Sequence, residues 1–194
     1  MKLFKNIKKW LENQEHLFYL FLLILIVPNI ILCFTEPMPV VAKVCNVLLP
    51  FAFYYLLMTL SRNCGKMFWI LFLFIFFGAF QIVLLYLFGQ SIIAVDMFLN
   101  LVTTNSSEAM ELLDNLVPAL VSVIILYIPA LILAVISIIK KRKLSPEFIR
   151  RERKKAWIAL LIGFISLGAA YGLDKRYELK SDLYPANVCY NVAL

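Results

Sequence analysis

The chain has 194 residues, of which 63% are hydrophobic, 14% aromatic and 16% charged, with a mean hydropathy of +0.87. Soluble domains run roughly half apolar and about a quarter charged, so this chain has more apolar surface than a water-facing monomer of its length can bury, and the same load excludes disorder. Four cysteines are too few for a disulfide-stapled secreted module, and the net charge of +7, from 19 Lys+Arg against 12 Asp+Glu, is read below from where the basic residues fall.

Residues 1–15 put Leu3, Phe4, Ile7, Trp10 and Leu11 on one helical face and lysines on the other, the pattern of an amphipathic helix at a membrane interface. Five apolar runs follow, each long enough to cross about 30 Å of hydrocarbon at roughly 20 residues. They are His16–Phe34, Pro39–Leu60, Met67–Phe88, Leu116–Ile139 and Ala156–Leu173. Pro28, Pro50 and Pro129 lie inside three of them and are expected to mark kinks rather than ends, because neighbouring helices satisfy the freed carbonyls. The first run is longer than a signal-peptide core and no A-x-A follows it. Ile30-Ile31-Leu32 lacks the small residue expected before a lipidated Cys33, so a retained helix is expected. The fold class is all-α: an interfacial segment 1–15, a five-span transmembrane bundle over 16–173 and an external tail 174–194.

The basic residues fix the expected orientation. One side collects Lys2, Lys5, Lys8 and Lys9, then Arg62 and Lys66, then the nine from Lys140 to Lys155; the other has Lys43, Lys175, Arg176 and Lys180. The positive-inside rule then places the amino terminus in the cytoplasm and the carboxyl terminus outside. The charge is topology, and nucleic acid is not expected as a partner. The Lys140–Lys155 cluster should touch anionic cytoplasmic lipids, whereas Lys175, Arg176 and Lys180 read as a solvated linker, with contact to the phosphates of an anionic acceptor lipid as the alternative. Trp10, Trp69, Tyr86 and Trp157 sit near span ends as interface anchors, and Gly78, Gly163, Gly168 and Gly172 are expected to permit close helix approach.

No metal site is expected in this chain: Cys33, Cys45, Cys64 and Cys189 form no C-x-x-C, and His16 is the lone histidine. The cysteines read as small apolar residues in lipid or helix contacts, with a Cys33–Cys45 pair left open. Within the spans little is polar beyond Asn46, Gln81 and Lys43, which argues against a transporter subunit, where intramembrane charges mark the pathway.

Between the third and fourth spans lies Gly89–Asn115, which has no Lys or Arg. Asp96, Asn100, Thr104 and Glu108 recur every four residues, flanked by Thr103, Ser107 and Glu111, and make one polar stripe on an amphipathic interfacial helix at the outer surface. A zwitterionic phospholipid head offers a phosphate, which accepts hydrogen bonds from Asn100 and Thr104, and an ammonium, which seeks the Glu108 carboxylate. Asn105-x-x-Glu108 equally reads as a capping box that starts a second helix, and Asn105-Ser106-Ser107 is formally a glycosylation sequon.

The run VDMFLNLVTTNSSEAMELLDN, with five spans, a basic loop before the fifth and an external tail, resembles the amino-terminal membrane domain of the lipid A phosphoethanolamine transferases, a family that includes the mobilised colistin-resistance enzymes. The resemblance implies that Asn100, Thr104 and Glu108 bind the phosphoethanolamine substrate. It further implies phosphatidylethanolamine and lipid A as lipid partners at the periplasmic leaflet of the bacterial inner membrane, and a link to polymyxin resistance. In that family the phosphoethanolamine passes through a threonine of a zinc-dependent periplasmic domain, where zinc activates the nucleophile and neutralises phosphoryl charge. No catalytic residue and no cofactor is expected within these 194 residues; zinc belongs to the catalytic domain, toward which DKRYELKSDLYPANVCYNVAL, with Pro185 and Tyr190, resembles the start of a linker. The expectation is a membrane-domain fragment that catalyses nothing alone. A stand-alone accessory protein and the membrane domain of a phosphoglycerol transferase are the alternatives; a glycerol-phosphate head has no ammonium and would leave Glu108 without a role.

Overall fold

The computed structural model describes residues 10–35, 37–88, 106–173, 178 and 183–186, with residues 84–88 and 106–116 described as backbone. These residues are helical, with no strand among them. The elements are α1 (Gln14–Thr35), α2 (Val40–Met58), α3 (Cys64–Ile70), α4 (Phe72–Phe88), α5 (Ser106–Ile139) and α6 (Pro146–Leu173). Each expected apolar run falls on a helix, except that the third is divided between α3 and α4.

Polar caps set two of the starts. Asn13 accepts a hydrogen bond from the Glu15 amide at 2.9 Å, which satisfies one of the orphan donors at the start of α1. Residues 10–12 form a helical turn ahead of it, where Trp10 stacks on His16 with ring centroids 4.8 Å apart. Asn63 caps α3 by accepting from the Lys66 amide at 2.7 Å. Its side-chain Nδ2 donates to the carbonyls of Ser137 and Arg142 at 3.2 and 2.9 Å, so the α2–α3 turn is tied to the end of α5.

Further bonds gather the helix ends. Ser137 Oγ donates to Gln14 Oε1 at 2.7 Å, and Arg62 and Leu144 exchange hydrogen bonds at 3.0 and 2.7 Å. The start of α1, the α2–α3 turn, the end of α5 and the start of α6 therefore share one end of the bundle, which also holds the basic residues 140–155. At the opposite end are Thr35, Val40, Leu173 and residues 183–186.

Four helices, α1, α2, α5 and α6, are long and apolar enough to cross a membrane, and five spans result if α3 and α4 are counted as one bent pair. In their most apolar stretches α1 is 56% buried, but α5 and α6 only 22%. Thus α1 is central, with Phe18, Phe21 and Leu32 fully buried and Phe21 stacked on Phe68 at 4.4 Å. On the periphery Ile124, Ile128, Ile132, Leu161 and Ile165 project outward. An apolar exterior of this extent is unsuited to water and suited to lipid.

The third span is not straight. α3 and α4 meet at Leu71 with a bend of 62°, although no Pro or Gly lies between Lys66 and Phe77. Each arm has a glycine at a close tertiary contact. Gly65 lies against the Ala134 carbonyl of α5, while a Cβ on Gly78 would be 2.9 Å from Pro28 Cγ and 3.1 Å from the Tyr127 and Tyr184 hydroxyl oxygens. Gly163 likewise lets α6 approach the Leu49 backbone, since a Cβ there would be 3.1 Å from Leu49 Cα. Among the described residues a Cβ on Gly168 or Gly172 would have nothing within 4 Å, so, contrary to expectation, no helix among them approaches at these two glycines.

Two helices extend past their apolar runs. The described part of the expected interfacial helix, 106–115, is continuous with the fourth span, since Glu, Ala, Met and Leu all favour helix and no breaker precedes Val117. Pro118 and Pro129 are accommodated inside α5, and Pro28 and Pro50 inside α1 and α2. The basic stretch from Pro146 onward is likewise the first part of α6 rather than loop.

Candidate functional site

Of the three residues singled out for substrate binding, Asn100 and Thr104 lie outside the described residues. Glu108 is the third residue of α5, at the end of the bundle opposite the basic one. The helix is described from Ser106 onward, and Asn105, the capping-box candidate, lies outside the described residues. As α5 runs unbroken for 34 residues, or about 51 Å, it attaches the backbone of Glu108 directly to a membrane-crossing helix. Lys175, Arg176, Lys180 and Cys189 also lie outside the described residues.

At the same end the structure shows a buried polar layer. Asn29 Nδ2 donates to Asn46 Oδ1 at 3.1 Å and to the Tyr184 carbonyl at 2.8 Å, while Asn46 Nδ2 returns a 3.4 Å bond to the Asn29 carbonyl. Asn29, Asn46 and Tyr184 are fully buried. Tyr184 also donates through its hydroxyl to the Phe74 carbonyl, just past the bend. Residues 183–186 are thereby held inside the bundle, with Leu183 packed on Ala42, Cys45 and Ala170. Asn46 was legible as an interior polar residue; Asn29 was passed over because its partner is 155 residues away.

Replacing Asn29 by Leu should expose this dependence. The Tyr184 carbonyl would remain buried without its donor, at about 1–3 kcal/mol. Trypsin should then cut the folded protein in detergent faster at Lys175, Arg176 and Lys180, and unchanged cleavage would mean that the tail is not held by this bond.

Gln81 is 1% exposed and, like the hydroxyl of Tyr127, has no hydrogen-bond partner among the described residues. Cys33, Cys45 and Cys64 are all thiols, so a Cys33–Cys45 disulfide is not formed; Cys33 instead donates to the Lys43 carbonyl at 3.3 Å. No group of three or more His, Cys, Asp or Glu placed to hold a metal occurs among the described residues.

At the basic end one carboxylate is enclosed. Glu152 is 0% exposed and accepts hydrogen bonds from the Tyr55 hydroxyl, from Arg151 Nε at 2.8 Å and from Lys155 Nζ at 3.0 Å. It precedes the apolar run of α6 that begins at Ala156. Burial alone would raise its pKa, but the bonds from Tyr55, Arg151, Lys155 and Tyr19 outweigh it and hold the carboxyl down at about 2. Sequence reasoning missed Glu152, whose neighbours Arg150, Arg151, Arg153, Lys154 and Lys155 make it read as part of a solvated charge cluster.

No protein-family description, curated protein or solved structure matches the chain. The fold and its surface define a helical protein of the multi-pass membrane class.

Proposed function

We propose that this chain is the membrane domain of a phosphoethanolamine transferase, which anchors the enzyme and binds phosphatidylethanolamine, and then lipid A, at the outer leaflet of the bacterial inner membrane. The observation that carries this reading is the segment Val95–Asn115, where Asn100, Thr104 and Glu108 follow at four-residue spacing and match the positions that bind substrate in the family it resembles. Asn100 and Thr104 would donate to the lipid phosphate, and the Glu108 carboxylate would meet the ammonium. Acyl-chain contacts would supply most of the affinity, and the polar groups the selection. The 15 of 19 basic residues assigned to the end opposite Glu108 support an amino terminus in the cytoplasm and a Glu108 facing the periplasm, in a five-span arrangement with the bent pair as the third span. The threonine nucleophile and zinc ligands belong to a separate periplasmic domain, so these 194 residues hold substrate and perform no chemistry.

The test is Glu108→Ala in the intact enzyme. An ammonium–carboxylate pair near water is worth up to about 1 kcal/mol, so transfer to lipid A should fall about fivefold at equal expression. Undiminished phosphoethanolamine–lipid A by mass spectrometry would overturn the assignment of Glu108. A donor shown to be a glycerol-phosphate lipid would instead favour the phosphoglycerol relative.

A further inference from the structure

The start of α6 and the α2–α3 turn enclose a pocket of about 400 Å³ at the basic end of the bundle. Its lining includes Arg62, Ile149, Arg150, Arg153, Lys154 and Trp157. Two of the cations are held in place by backbone. Arg62 Nε donates to the Leu144 carbonyl at 3.0 Å, and Arg153 reaches the Thr59 carbonyl at 2.6 Å and the Thr59 hydroxyl at 3.4 Å. Neither guanidinium uses all its donors in these bonds, and the remainder can point at a ligand. The carboxylate nearest in sequence, Glu152, is turned away and taken up by Tyr55, Arg151 and Lys155. Among the described residues, none of Arg62, Arg150, Arg153 and Lys154 forms an ion pair. Four like charges around one concavity repel one another unless an anion enters. The floor, however, is apolar: Ile149 is buried, and Trp157 stands where the apolar run of α6 begins, 57% exposed. A soluble anion has no use for such a floor, whereas a lipid brings phosphate and hydrocarbon in that order.

We infer that this pocket binds an anionic phospholipid with two phosphates in its headgroup, held by Arg62, Arg150, Arg153 and Lys154, with an acyl chain along Ile149 and Trp157. A two-phosphate head suits four cations, and arginine presents paired donors to phosphate oxygens. Because Arg62 and Arg153 are already ordered by backbone, less side-chain entropy is lost on binding. The inference is independent of the transferase reading, which concerns the other end of the bundle.

Native mass spectrometry of the whole chain in neutral detergent, titrated with tetraoleoyl cardiolipin, tests it. One tightly held lipid is expected, with dioleoylphosphatidylcholine binding far more weakly. Arg150 and Lys154 hold no protein partner among the described residues, so Arg150→Gln with Lys154→Gln should leave the fold intact, as judged by protection of the buried Cys64 thiol. This pair should weaken cardiolipin binding about 30-fold. Lys140→Gln with Lys143→Gln removes the same charge outside the pocket and should change binding less than threefold. Equal loss in both double variants would overturn the site, as would equal affinity for phosphatidylcholine. Displacement of the lipid by inorganic pyrophosphate at equal concentration would overturn the lipid assignment in favour of a soluble phosphate ligand.

Discussion

Gly65→Val should leave the protein barely folded at ordinary temperature. A Cβ at this position would collide with the Ala134 carbonyl oxygen, lie 2.9 Å from Ser137 Cβ and come within 3.1 Å of the Ala134 carbonyl carbon. The main obstacle is backbone, which has no rotamer to escape into. Relief requires α3 to move off α5, and that movement would pull Asn63 from the Ser137 and Arg142 carbonyls. Overpacking costs about 1–3 kcal/mol and two lost hydrogen bonds about 0.5–1.5 kcal/mol each, so a loss of about 3–5 kcal/mol is expected. For a chain of this size that corresponds to a fall in Tm of about 10 °C or more. Cys64 is next to the substitution and fully buried, which makes its reaction with a thiol-specific dye on heating the direct readout. Gly168→Val, with nothing among the described residues within 4 Å of its Cβ, is the matched control and should melt like the parent. If the Gly65 variant also melts like the parent, α3 and α5 do not meet as closely as described.

The second large effect is expected at Glu152. Glu152→Ala takes the acceptor from Tyr55, which is only 7% exposed, and a buried donor left without a partner costs about 1–3 kcal/mol. The bonds from Arg151 and Lys155 add less, because these side chains are 59% and 54% exposed and water replaces what they lose. The expected total is about 2–4 kcal/mol. Tyr55→Phe separates the contributions: with no hydroxyl to strand, Glu152→Ala should be milder in that background by about 1 kcal/mol or more. Additive losses would show that the hydroxyl and the carboxylate are not coupled. Glu152→Gln keeps an acceptor for Tyr55 and should fall between parent and Glu152→Ala.

These effects mark what was legible in the sequence and what was not. Apolar runs of roughly twenty residues have few alternatives to a membrane helix, so each of the five is found on helix, and the cluster after Lys140 falls at one end of the bundle. Prolines 28, 50 and 129 stay inside helices because the surrounding hydrophobic length outweighs the loss of one backbone donor. The bend at Leu71 was not legible, since no Pro or Gly lies at it and the close contacts of its two arms, at Gly65 and Gly78, are with residues from other parts of the chain. The same holds for Asn29, Glu152 and the basic pocket, each of which joins residues far apart in sequence. Helical periodicity gives the face a residue occupies and not what that face meets. Glycine alone is no guide either: Gly163 meets Leu49 closely, and Gly168, five residues on, meets nothing among the described residues. Of the candidate substrate residues, periodicity and resemblance supply Asn100 and Thr104, and the structure adds that Glu108 is fixed to the fourth span.

The pinned tail has a consequence for how the protein is made. Tyr184 is translated 155 residues after Asn29 and 110 after Phe74, the two residues it bonds. At about 5–20 residues per second of synthesis, the side-chain amide of Asn29 and the carbonyl of Phe74 wait about 8–30 s and about 5–20 s for their partner. During that interval Asn46, translated 17 residues after Asn29, is the partner at hand, and the asparagine pair keeps a polar group from facing lipid alone while the later spans insert. Residues 183–186 are therefore the last of the described residues to join the bundle, and a ribosome stalled before Tyr184 would leave the first helix bonded to the second but not yet to this segment.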